Sequence, residues 1–120
     1  MNTVLTVSVQ ENLLELLKVF GELKVVVPAA LRQYLMDRCL QRIEQAERQI
    51  ALYENRYGMD YKTFQQRVAT DQSYLEYLNR VNPLWEADAV EWVYRLEEAE
   101  AWRERLQKAL QTSLPSPAPG

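Results

Sequence analysis

The sequence predicts a mainly-α fold, in which two long helices form an antiparallel hairpin with short connecting helices and a short β-strand near the N-terminus. Two seams and the chain length predict it. Met36, Cys39, Ile43, Ala46, Ile50, Tyr53 and Tyr57 are spaced 3, 4, 3, 4, 3, 4, an alternation that holds one narrow apolar seam against a partner helix. A second seam runs through Trp85, Ala89, Trp92, Leu96 and Ala99, then Trp102 or Arg103, then Leu106 and Leu110. Pairing the two seams inside one chain satisfies both at once, because the segment between them is long enough to reverse direction. At 120 residues and 48% hydrophobic content the chain is one domain's worth, with material for a modest core.

Three regions follow: an N-terminal strand and helix segment over 1–28, the hairpin over 29–111, and a tail over 112–120. Residues 3–9 alternate Thr6 and Ser8 with Leu5, Val7 and Val9, a period of two that suits a short strand. Residues 10–20 place Leu13, Leu14, Leu17 and Phe20 on one helical face, and Gly21 follows where a left-handed cap is commonly needed. Residues 24–27 are Lys24 and three β-branched valines before a proline, so they read as a second strand or a stiff connector. Pro28 then occupies a first helical turn, and the first long helix runs over 29–57 until Gly58 stops it.

The outer face of that helix carries charges, among them Glu44 and Arg48 at the favourable four-residue spacing. Beyond Gly58, Asp60 is placed to cap a short helix over 61–68, and Thr70 or Asp71 another over 73–79. Met59, Tyr61 and Phe64 form an apolar group expected to pack back onto the hairpin. Asn82 followed by Pro83 reads as the start of the last helix, over 83–111. Pro115, Pro117 and Pro119 among small residues predict a disordered tail.

Charge and chemistry narrow the function. The net charge is −3, with residues 1–58 holding 7 acids and 7 bases and residues 59–120 holding 10 and 7. No extended basic surface is implied, so a nucleic-acid partner is not expected. The single Cys39 lies on a seam and reads as a small buried apolar residue in a reducing, cytoplasmic setting. No signal peptide and no bilayer-spanning apolar run is present in the sequence, so no membrane partner is expected. Without histidine or a glycine-rich phosphate loop, catalysis is not expected, and neither is a cofactor. Seven carboxylates between Glu86 and Glu104 face only Arg95 and Arg103, but they fall on several faces of one helix and read as a solvated surface, not a metal site.

Trp85, Trp92 and Trp102 have two readings. They fill the core of the hairpin, or some of them anchor a partner protein, a role in which tryptophan is favoured. An acidic surround would select a basic partner.

The segment from Tyr53 to Phe64 contains Tyr57-Gly58-Met59 followed five residues later by Phe64. It resembles the "E-x-x-Y-G-M" and following phenylalanine element of small prokaryotic antitoxins of toxin-antitoxin pairs. Trp85, Glu86, Asp88 and Trp92 resemble the acidic tryptophan segment of the same group, and the resemblance spans about residues 45–108. It implies a cytoplasmic protein that neutralises a cognate toxin, often a small basic ribonuclease-type enzyme, by direct binding. The implied partner-binding residues are Trp85, Glu86, Asp88, Trp92, Leu96 and Trp102. Val25-Val26-Val27-Pro28 is similar to the opening of a ribbon-helix-helix DNA-binding module, but the helix runs on without the turn that module requires. The alternative is a non-catalytic coiled-coil scaffold that forms a homodimer through the 36–57 seam, or through an N-terminal edge strand.

Overall fold

The computed structural model describes residues 4–112. Five helices follow in order: α1 (Glu11–Lys18), α2 (Leu23–Tyr57), α3 (Tyr61–Thr70), α4 (Gln72–Val81) and α5 (Trp85–Gln111). The dominant tertiary contact is α2 against α5, an antiparallel hairpin as the paired seams predict. The molecule is elongated, 70 × 28 × 24 Å.

The first seam is used within the chain. Cys39, Ile43, Ala46, Ile50 and Tyr53 are buried, with Met36 and Tyr57 half-buried at its ends. On α5, Trp92, Ala99 and Ala109 are buried, while Trp85, Ala89, Leu96, Trp102 and Leu106 are half-buried. The second seam therefore passes through Trp102 and Ala109, not Arg103 and Leu110. Arg103 lies beside the seam and donates to Glu47 of α2 at 2.8 Å. At the far end of the hairpin, Arg32 donates through Nε to the Ala109 carbonyl at 3.0 Å and through Nη2 to the Leu110 carbonyl at 2.8 Å. That guanidinium supplies donors to carbonyls that the last turn of a helix leaves without partners.

Local rules hold best around the reversal. Gly58 ends α2 at φ +71, the left-handed cap that glycine adopts without steric cost. Asp60 accepts from the Thr63 N–H at 2.8 Å and Asp71 from the Tyr74 N–H at 3.1 Å, so each carboxylate caps a helix start. The hydrogen bonds to Thr63 hold the Asp60 carboxyl below its usual range. Met59 and Tyr61 pack on the core and Phe64 is buried in it, as expected.

Further local expectations are corrected. Residues 4–9 form no strand among the described residues, and their apolar side chains are exposed. Residues 24–27 are neither strand nor connector: α2 begins at Leu23, so the helix crosses the boundary placed at residue 28. Pro28 is its sixth residue, which leaves the Lys24 carbonyl without its usual helical donor, a defect costing about 3 kcal/mol in a helix interior. The helix forms nonetheless because the Glu22 carbonyl accepts from Val25 at 3.0 Å and Val26 at 2.8 Å, and because α1 packs on this stretch and half-buries the valines.

The remaining corrections concern helix ends. Helix α1 stops at Lys18, and Gly21 sits past a turn at φ +139, outside the left-handed cap region. Leu14 and Leu17 face inward while Leu13 and Phe20 stay exposed, so the four residues do not share one buried face. Asn82 does not cap α5, whose first residue is Trp85; Asn82 ends α4 and spends its side chain elsewhere. The tail lies almost entirely in 113–120, outside the described residues.

Candidate functional site

Two surfaces meet at α5, one facing inward and one outward. The inward one centres on Trp92, which is fully buried. Four rings surround its indole, Tyr61 at a centroid distance of 5.2 Å, Phe64 at 5.4 Å, Tyr57 at 5.7 Å and Tyr53 at 5.8 Å. Trp85 reaches Phe64 edge-on at 6.2 Å and donates from its indole nitrogen to Asn79 at 2.8 Å. Such pairs add about 0.5–1.5 kcal/mol each beyond the area they bury. The Trp92 N–H has no acceptor among the described residues, so the aromatic packing holds this ring against the cost of one unpaired donor.

A polar clasp closes the same end. The Tyr57 hydroxyl donates to Asp88 Oδ2, Arg56 donates to the same oxygen at 2.8 Å, and Asn82 donates to the Tyr57 hydroxyl at 2.8 Å. Burial works to raise the Asp88 carboxyl, but the hydrogen bonds from Tyr57 and Arg56 win and hold it below the usual carboxylate range. Burial first, then the Asp88 carboxylate, pushes the Tyr57 hydroxyl well above its ordinary value. Burial, with Glu91 next, pushes the Tyr53 hydroxyl up to about 12. Both phenols remain neutral at physiological pH, which keeps the Tyr57 hydroxyl a donor in the clasp.

Residues 53–64 and 85–92 are thereby brought together in space. Tyr57 and Phe64 of the first segment touch Trp85, Asp88 and Trp92 of the second. Of the six residues expected to bind a partner, Trp92 has no surface to offer, Trp85 and Leu96 pack on the core, and Asp88 is committed to the clasp. Glu86 is exposed and Trp102 half-exposed.

The outward surface holds Glu86, one of the six expected partner-binding residues, together with carboxylates read from the sequence as a solvated face. Glu86, Val90, Glu97 and Glu104 fall within about 40° of one another around the helix axis at 100° per residue. None of the three carboxylates has an ion-pair partner among the described residues, and Val90 is 73% exposed. Tyr94, 56% exposed, lies at the edge of this stripe and leads into a cleft of about 530 Å³ shared by Glu97, Trp102, Arg42 and Arg105. The guanidinium carbons of Arg105 and Arg42 stand 4.4 and 5.9 Å from the centre of the Trp102 ring. Val90, Tyr94 and Glu97 fall opposite the second seam, and Val90 and Tyr94 are the apolar positions that set this face apart from a purely solvated one.

Among the described residues there is no group of three or more side chains that could hold a metal ion, and no helix is long and apolar enough to cross a membrane. No family model, no curated protein and no solved structure matches this chain.

Proposed function

We propose that this protein is a non-catalytic inhibitor of the antitoxin kind, which binds and neutralises a basic toxin enzyme in the cytoplasm through the outward face of α5. The observation that carries the reading is a stripe of three carboxylates, Glu86, Glu97 and Glu104, with no ion-pair partner among the described residues, interrupted by exposed Val90 and bordered by the Trp102 cleft. Unpaired charge selects a partner of opposite sign and speeds the encounter, while Tyr, Trp and Arg are the side chains that most often anchor interfaces. The resemblance supplies the partner class, a small ribonuclease-type toxin. It bears on binding only indirectly, since its tryptophan and tyrosine positions mainly build the clasp and the aromatic core.

The test is co-expression with the product of the adjacent gene. That product alone is expected to arrest growth, this protein to relieve the arrest, and the two to co-purify. Reversing Glu86, Glu97 and Glu104 to Lys is expected to abolish rescue and co-purification while leaving the helical circular dichroism unchanged. A harmless neighbour, or rescue that survives the triple reversal, would sink the proposal.

A further inference from the structure

Residues 4–36 contain no buried side chain, yet eleven of their large apolar side chains keep 41–87% of their surface in solvent. Seven of these lie on α1, its following turn and the start of α2, and at roughly 100 Å² apiece they expose on the order of 700 Å² of apolar surface. That approaches the roughly 800 Å² per partner that a stable interface buries. The exposure is patterned. Leu13, Leu16 and Phe20 recur at three and four residues on α1 and its following turn, while Leu31, Tyr34 and Leu35 form a second stripe on α2. Each helix thus has one apolar face spent on its neighbour and another left open.

We infer that this end of the molecule is a pairing surface for a second copy of the same chain, with α1 and the start of α2 from each copy forming a two-fold, four-helix contact. Charge favours a copy as the occupant. Residues 4–36 hold three acids, Glu11, Glu15 and Glu22, and three bases, Lys18, Lys24 and Arg32, so two such surfaces meet without net repulsion. Pairing through α5 would instead set seven acids and four bases of one helix against the same set. A two-fold contact presents the same patch from both copies, which a neutral and apolar patch satisfies with no further complementarity. A lipid surface fits less well, because interfacial helices carry a Lys- and Arg-rich polar face and α1 has one lysine against two glutamates. The 36–57 seam is not involved, being filled by α5, and neither is an edge strand. The pairing also leaves the acidic stripe of α5 free, so it stands or falls separately from the inhibitor reading.

Light scattering on the full chain across micromolar to millimolar concentration tests it. The expected mass is twice 14.1 kDa at the upper end. Leu16→Glu with Leu31→Glu is expected to weaken association at least tenfold; both positions are exposed in the single chain, and circular dichroism checks that the helices persist. A second measurement is hydrogen exchange, in which α1 amides gain protection as wild-type concentration rises. A mass that stays at 14.1 kDa throughout overturns the inference. So does a dimer that survives both glutamates but dissociates on Val90→Glu, or a monomer that co-sediments with phosphatidylcholine vesicles through α1.

Discussion

At the closed end of the hairpin Trp92 is ringed by four aromatic side chains at 5.2–5.8 Å, whereas at the open end the helices are held by small buried residues, Cys39 and Ala109, and by the Arg32 guanidinium on two backbone carbonyls. Beyond Arg32 the chain continues through α1 with half-covered leucines and nothing fully buried. One end buries its largest side chains, and the other leaves most of its large apolar side chains in solvent. The difference teaches that burial is unevenly spread along the long axis: the aromatic knot fixes the hairpin at one end, while the helices at the other present apolar faces to solvent.

The largest effect is expected at the knot. Trp92→Ala removes the ring that all four neighbours share and is expected to cost about 3–5 kcal/mol, read as a fall in the urea midpoint. If it costs no more than Leu13→Ala at the open end, the contrast between the ends is wrong. Asp88→Ala breaks the clasp and leaves the Tyr57 and Arg56 donors seeking new partners, for an expected loss of about 1–3 kcal/mol. The same residue predicts a pH dependence. Its carboxyl is held below the unfolded value of about 3.9, so its contribution is complete above that pH and is lost as pH falls through the lower folded value. Acid titration of stability is expected to be shallower in Asp88→Asn than in the wild type, and equal slopes would show that other carboxylates dominate.

Smaller effects sharpen the comparison. Gly58→Ala places a Cβ in the left-handed region at φ +71, with open space around it, so the expected cost is the backbone strain alone, about 1–2 kcal/mol in thermal melts. Removing residues 4–22 deletes α1 and the Glu22 carbonyl that accepts from Val25 and Val26, so the proline-bearing first turns of α2 are expected to unwind, read as lost amide protection over 23–27. The cost is expected to stay below that of Trp92→Ala, because no side chain over 4–22 is fully buried.

Much of the fold was legible because it rests on short-range periodicity and on caps. The 3-4 spacing from Met36 to Tyr57, the left-handed glycine at 58 and the capping aspartates 60 and 71 each act within one or two turns, which is the range a sequence displays directly. The start of α2 was not legible, since three valines before a proline disfavour helix locally and are overridden by α1 packing on them. For the candidate site, the pattern marked residues of α5 and selected mainly its inward face. Trp85, Asp88 and Trp92 attract notice as aromatic or paired residues, yet whether they point in or out depends on Tyr57 and Phe64, which lie on other helices and 21 to 35 positions earlier in the chain. Glu97 and Tyr94 carried no local signal beyond being opposite the seam.

The rungs between α2 and α5 also set an order of assembly. Arg56 and Asp88 are 32 residues apart, Glu47 and Arg103 are 56 apart, and Arg32 and Leu110 are 78 apart. Each doubling of a loop adds about 0.6 kcal/mol of closure entropy, so the closed end is the least costly place to nucleate. Once it forms, every later rung closes a loop already mostly zipped. Folding is thus expected to travel from the aromatic knot toward Arg32 like a fastener, with φ-values near 1 for Tyr53 and Trp92 and near 0 for Arg32. Comparable values at both ends would point to a single diffuse nucleus instead. The last-formed end is the one with uncovered leucines, so a newly made chain exposes its pairing surface whether or not the hairpin has finished closing.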